Sequence, residues 1–362
     1  MKHLSGSPKR PICFRLCALL LCLLLCSCTA TAIDADRLPS TSSATMGDVE
    51  GFNPTHTTQT TAPLTTSAPV TTPAPVTTPA ITLPPQPQPI PPEPFEELER
   101  NGKYITVYDL KNNRLLYTTG LDQKIYPAST TKLLTLLYAL TLTDEDTVFD
   151  IGAEIYLAPS DSSKAQLSRG ERYTRRDIFA ALLLPSGNDA AYTLAATCGR
   201  LLAPDEELSN RNAVNRFVAG LNEYAKSLGL DDTHFVTPDG YHHTDHITSM
   251  QDMLTIARMA MAEPILTELM AMPTYEVTDL AKGHTKLWLN SNFMLHEEHP
   301  CYYPYTTGCK TGFHTPAGAC LIATAHKDGE VLMVMVFKCS NKDARFYDAI
   351  RFLELGFELL TK

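Results

Sequence analysis

Tyr126-Pro-Ala-Ser-Thr-Thr-Lys132 opens a long run of helical periodicity and sets a hydroxyl and an amine three residues apart. At that spacing, in the first turn of a helix, Ser129 and Lys132 share one face. An uncharged Lys132 can take the proton of Ser129 as the hydroxyl attacks a carbonyl. The backbone N–H of Ser129, close to a helix start, is a ready donor to a developing oxyanion. The same spacing also describes a helix cap beside a solvated lysine, so the stretch acquires meaning only from what surrounds it.

Upstream, Tyr104–Leu110 and Leu115–Thr119 alternate about Asn112-Asn113 and predict a hairpin. Downstream, Ser129–Leu142 is apolar on one face, and Thr174-Arg-Arg-Asp177 carries a capping-box pattern for a helix ending near Leu184. Asn188–Leu202 follows, Arg211–Leu228 ends at Gly229, and Ser249–Ala262 stops before Pro264. Strand patterns return at Gly308–Phe313, Gly318–His326 and Val331–Lys338, and Asp343–Leu360 closes as an amphipathic helix. Strands at both ends around a helical middle predict an α+β fold. Its antiparallel sheet is assembled from the two ends, flanked by helices, with an inserted helical subdomain.

Two further motifs sit at junctions of these elements. Leu184-Pro-Ser-Gly-Asn-Asp-Ala-Ala191 lies between two helices, where Ser186 and Asn188 can project from one turn into a cleft, or simply serve as N-caps. Gly308-Cys-Lys-Thr-Gly312 lies on a strand. Lys310 and Thr311 suit a carboxylate, and Gly312 lets an extended peptide lie against the strand. A positive Lys310 near Lys132, with burial, would lower the pKa of Lys132. Alternatively, Lys310 is a solvated edge lysine that discourages aggregation.

Ser-x-x-Lys, Ser-x-Asn and Lys-Thr-Gly, in that order and on those elements, mark the penicillin-binding and serine β-lactamase group. Residues 98–360 resemble the D-alanyl-D-alanine carboxypeptidases, the low-molecular-weight penicillin-binding proteins. The likeness extends to Ala225-Lys-Ser-Leu-Gly-Leu, Thr233-His-Phe, Pro238-Asp-Gly and Ala317-Gly-Ala-Cys-Leu. The resemblance implies a serine β-lactamase/DD-peptidase-like fold in which Ser129 is acylated and Lys132 is the base. Ser186 and Asn188 line the cleft, and Lys310 and Thr311 hold the terminal carboxylate along the strand through Gly312. The oxyanion hole pairs the N–H groups of Ser129 and Phe313. It implies peptidoglycan stem peptides as substrate, β-lactam antibiotics as inhibitors, and no cofactor or metal. The chain departs from the family pattern at His314, where Thr is usual, and at Thr237-Pro-Asp-Gly240 in place of Asn-Pro-x-Gly. It also ends soon after the closing helix, without the C-terminal β-domain of some relatives.

A β-lactamase shares the three motifs but needs a Glu that activates water. Glu206-Glu-Leu-Ser-Asn210 follows Asn188 too soon for that spacing. A non-hydrolytic penicillin sensor is the remaining alternative. His242, His243 and His246 crowd one loop without a completing ligand pattern for zinc. The domain's five cysteines are an odd set spread widely, and Cys309 is expected to be a buried thiol. Under an Asp328-Gly329 turn, Cys320 would face Phe337 with Cys339 diagonal on the same face. That is a poor disulfide geometry, and separate buried thiols are expected.

The N-terminal part has a different character. Lys2, Lys9, Arg10 and Arg15 precede an apolar run, Leu16–Leu25, too short to span a bilayer comfortably. Residues 1–28 read as an export signal of lipoprotein type, with Leu25-Cys-Ser-Cys28 offering Cys28 for lipidation. Ala30-Thr-Ala32 is a competing ordinary cleavage site, and an uncleaved leader is a third option. Residues 29–95 are rich in Thr and Pro, with Ala68-Pro-Val-Thr-Thr-Pro repeated from Ala74. Such a segment cannot bury a core and favours extended polyproline II, a spacer of up to ~200 Å. The catalytic domain is expected over residues 96–362, on the outer face of the bacterial envelope and membrane-anchored through the N-terminus or else secreted. The net charge of −10 argues against nucleic-acid binding.

Overall fold

The computed structural model describes residues 93–361 of the 362. The expected leader, Cys28, the repeats and the linker through residue 92 lie outside the described residues. Packing nevertheless reaches back beyond the domain start expected at residue 96, in a short helix α1 (Glu93–Glu96). The ring of Phe95 is 1% exposed and stacks on Tyr117 at 5.2 Å and Phe352 at 6.0 Å. Burial of one such ring contributes about 2 kcal/mol, enough to hold this turn on the domain.

The expected hairpin follows as β1 (Gly102–Asp109) and β2 (Arg114–Thr118). After β3 (Lys124–Ile125) the chain makes a 3-10 turn over Ala128–Thr131 and continues as α2 (Lys132–Leu140). β4 (Val148–Asp150) and β5 (Arg172–Thr174) pair ahead of α3 (Arg175–Leu183). Both halves of the expected capping box form: Thr174 accepts from the Asp177 N–H, and the Asp177 carboxylate accepts from the Thr174 N–H. α4 (Asn188–Leu201) and α5 (Asn210–Ser227) follow, and the chain leaves α5 through Gly229 at φ +72°. β6 (Thr248–Ser249) pairs with β3 and leads into α6 (Met250–Ala262), capped by Ser249. Pro264 both stops α6 and opens α7 (Pro264–Met270), a helix its sequence does not announce. The hairpin of β7 (Thr274–Thr278) and β8 (Thr285–Leu289) is likewise unanticipated. β9 (Thr306–His314), β10 (Gly318–Lys327), β11 (Glu330–Cys339) and α8 (Ala344–Thr361) complete the described chain.

The five-stranded sheet has the order β2-β1-β11-β10-β9, antiparallel throughout, so the two ends of the domain do meet in one sheet. Strand alternation sorts its side chains into two cores. Ile105, Val107, Leu321, Val334 and Val336 pack with Phe346, Phe352 and Phe357 of α8. Tyr108, Ile322, Met333, Met335 and Phe337 join the helical region on the opposite face. β9 is one of the two edge strands, opposite β2, and the turn bearing Ser129 packs against it.

The cysteines follow the same sorting, with one correction. The β10–β11 register agrees with the Asp328-Gly329 turn as far as Leu321↔Val336, then shifts so that Cys339 pairs with Ala319. This bulge, with Lys338 at φ 59°, moves Cys339 to the other face from Cys320. The five cysteines in the described residues are all free and buried.

Candidate active site

Three parts of the chain converge on the edge strand β9. The turn before α2 brings Ser129, the α3–α4 junction brings Ser186 and Asn188, and β9 brings Thr311, Gly312 and Phe313. These six residues line one cleft of about 610 Å³. Lys132 and Lys310 lie directly beneath it, 0% and 1% exposed. Lys132 Nζ donates to Ser129 Oγ at 3.1 Å, Asn188 Oδ1 at 2.7 Å and the Asp239 carbonyl at 2.9 Å. Lys310 Nζ donates to Ser186 Oγ at 2.8 Å and to the Thr311 carbonyl at 3.0 Å. Each amine thus reaches the cleft through a serine hydroxyl. Ala128 and Ser186, which flank the nucleophile turn and the cleft wall, have φ values of 49° and 59°. Strained left-handed residues of this kind cost about 1 kcal/mol each and persist where surroundings over-determine them.

Electrostatics separates the two lysines. Burial pushes Lys132 down to about 8, against the opposing pull of the Asp239 and Asp189 carboxylates. Burial drives Lys310 well below its ordinary value, and the charge of Lys132 adds to that shift. The sequence reading expects Lys310 to depress Lys132. The structure reverses the emphasis, because Lys132 has carboxylates nearby whereas Lys310 donates to a hydroxyl and a carbonyl. An amine near 8 is neutral often enough at physiological pH to accept a proton from Ser129. Cys309, next to Lys310, is 1% exposed and burial pushes its thiol up to about 12, so it is inert as expected.

Two cleft-lining residues, Ser291 and Arg345, carry no recognisable sequence signal, and the role of Asp239, within the Pro238-Asp-Gly240 stretch, shows only in the fold. Asp239 is fully buried and offers Lys132 its carbonyl, while its carboxylate accepts from the Tyr241 N–H at 3.0 Å. Ser291 shares a 2.6 Å hydrogen bond with Thr311. Arg345, 7% exposed on α8, donates to the Gly312 carbonyl at 2.9 Å and lines the cleft without a carboxylate partner among the described residues. The histidine loop does not gather into one cluster. His246 is 2% exposed, stacks on Phe235 at 4.6 Å, and its ring nitrogens meet Thr131 and the Val236 N–H. Burial, with neighbouring imidazoles adding to it, pushes His246 down to about 3, so it serves as a neutral strut. His242 instead lines the cleft, 4.9 Å from His314 between ring centroids. Glu206 pairs with Arg216 at the surface, outside the cleft lining.

Close packing explains two glycines. A Cβ on Gly312 would stand 3.1 Å from the Ser129 nitrogen and 3.2 Å from the Pro127 carbonyl, so β9 approaches the nucleophile turn as closely as backbone allows. A Cβ on Gly240, at φ +83°, would stand 1.9 Å from the Ala128 carbonyl. Gly240→Ala is therefore expected to cost about 2–4 kcal/mol of stability, read from the urea midpoint at unchanged m. A midpoint equal to wild type contradicts this packing.

A family model described as D-alanyl-D-alanine carboxypeptidase matches residues 93–341. The D-alanyl-D-alanine carboxypeptidase DacF of Bacillus subtilis is 27% identical over 267 residues, covering 72% of this chain and 63% of that protein. The chain therefore spans slightly less than two thirds of the Bacillus relative. The D-alanyl-D-alanine carboxypeptidase of Streptomyces sp. strain K15 is 28% identical over 252 residues, covering 67% of this chain and 83% of that one. The crystal structure of the Streptomyces K15 DD-transpeptidase matches with a TM-score of 0.65 and 27% identity, over 72% of this chain and 98% of that one.

Proposed function

The chain belongs to the D-alanyl-D-alanine carboxypeptidase family, and on that premise we propose that it removes the terminal D-alanine of peptidoglycan stem peptides through an acyl-enzyme on Ser129. The observation that carries this reading is the 3.1 Å contact between Ser129 Oγ and a fully buried Lys132 amine. Ser129 Oγ bonds to the scissile carbonyl carbon as its proton passes to Lys132. The backbone N–H groups of Ser129 and Phe313 receive the oxyanion. The carbon–nitrogen bond then breaks as the leaving amine takes up the Ser186 hydroxyl proton. Ser186, held by Lys310, is reprotonated by the proton that Lys132 accepted from Ser129, so Lys132 is neutral again for the water step. Water next cleaves the ester and restores Ser129. Asn188 holds Lys132 in place and faces the cleft. The substrate's terminal carboxylate meets Thr311, with Lys310 supporting from behind Ser186 and with Arg345, which has no direct ion pair among the described residues, contributing its charge. β-Lactam antibiotics acylate the same hydroxyl and act as inhibitors.

The site is exported on this reading. The basic start, the apolar run to Leu25 and the small residue before Cys28 support a lipid anchor on Cys28, and Ala30-Thr-Ala32 supports release as the alternative. Among the described residues no helix is long and apolar enough to cross a membrane. The Thr/Pro-rich stretch between leader and domain supports a spacer that carries the site from the membrane toward the wall.

The pH profile tests the proposal. Lys132 must be neutral to accept the proton, so kcat/KM for D-alanine release rises with pH and levels off near its value of about 8. The imidazoles of His246 and His314, pushed down to about 3 and about 4, are already neutral across that range. A profile that is flat or falling between about pH 6 and 8 contradicts Lys132 as base.

A further inference from the structure

β9 continues past the catalytic groups toward a second groove. Lys310, Gly312 and His314 alternate onto one face of the strand, and Gly312 lies over the Ser129 nitrogen. His314 is thus the next position beyond the nucleophile, where it meets His242 at 4.9 Å and Tyr126 at 6.1 Å between ring centroids. Pro316 follows, lining both the catalytic cleft and an adjoining groove of about 140 Å³. The cross-strand pair Tyr104 and Phe337 contributes to this groove, and so do three lysines, Lys103, Lys124 and Lys338. Such a concentration is unusual in a chain of net charge −10. Lys103 Nζ stands 4.9 Å from the Tyr104 ring centre, and Lys338 Nζ donates to the Pro316 carbonyl at 2.7 Å. Of the three, Lys124 has a carboxylate partner among the described residues, Asp232 at 3.1 Å, and both groups are well exposed.

We propose that this groove is the subsite for an acidic upstream segment of the acyl donor, a peptide bearing free carboxylates before its D-alanyl pair. The inference rests on the carboxypeptidase reading, which fixes the direction of the chain. With the terminal carboxylate at Thr311 and Arg345 and the scissile carbonyl over Ser129, a peptide antiparallel to β9 runs its N-terminal part past His314 to Pro316. β9 ends at His314 and Pro316 sits in the turn before β10, so a peptide paired along β9 leaves the strand two residues beyond Gly312, and its third and fourth residues upstream of the cleaved bond cross that turn to the lysines. Tyr126, His242 and His314 form the wall they pass.

The test compares Ac-Glu-Glu-Gly-D-Ala-D-Ala with Ac-Gln-Gln-Gly-D-Ala-D-Ala, using the purified chain and a Lys103→Gln/Lys124→Gln variant. Neither lysine belongs to the catalytic machinery. Wild type is expected to favour the glutamate donor about three- to tenfold in kcat/KM at low salt, the range for two exposed charge pairs. The preference falls toward unity in about 0.5 M salt and in the variant, which cleaves the glutamine donor as wild type does. Equal cleavage by wild type, or a preference that survives in the variant, overturns the groove and leaves the carboxypeptidase reading intact. D-Alanine release from neither donor overturns both.

Discussion

Ser129→Ala is expected to slow D-alanine release by about four orders of magnitude or more, because the acyl-enzyme can no longer form. Fluorescent penicillin labelling is expected to vanish with it. Fold stability is expected to change little. Ser129 is only half-buried, and Lys132 keeps its bonds to Asn188 and the Asp239 carbonyl when the hydroxyl is removed. A thermal midpoint within a few degrees of wild type, beside lost labelling, separates chemistry from folding. Labelling that persists in this variant assigns the nucleophile elsewhere.

Lys132→Met is expected to lower kcat by about 10³- to 10⁴-fold through loss of the base. Met occupies similar volume, but Asn188 Oδ1 and the Asp239 carbonyl lose a buried donor. That loss is partly offset by no longer burying an amine, so the stability change stays within about 2 kcal/mol. Lys132→Arg sharpens the test. A guanidinium keeps the charge and can donate to the same acceptors, but does not act as a base. Activity recovered by Arg would make the role of Lys132 electrostatic or structural; activity absent in both variants fits the base.

The features legible in the sequence were those written locally. The Thr174–Asp177 box, the Ser249 cap and Gly229 lie within a turn of the helix ends they set, and the alternation of β10 and β11 is a property of each strand alone. The three motifs were legible as a group because each fell on the kind of element its chemistry requires. What stayed hidden depends on distant contacts. Arg345 reaches the Gly312 carbonyl from 33 residues away, and Asp239 bonds Lys132 across 107. The start of α7 at Pro264 looked like a terminator because proline favours both ends of such a break. The bulge at Lys338 moved Cys339 across the sheet, since one extra residue reverses every facing after it. The balance of charge between Lys132 and Lys310 likewise required knowing where Asp189 and Asp239 lie.

The central claim is that one hydroxyl, activated by one buried amine, carries the acyl group. Intact-mass measurement after brief exposure to benzylpenicillin, followed by peptide mapping, addresses it directly. The account predicts a single adduct of one penicillin per chain, on the peptide containing Ser129, and no adduct on Ser129→Ala. An adduct on any other residue, or D-alanine release that continues without Ser129, contradicts it.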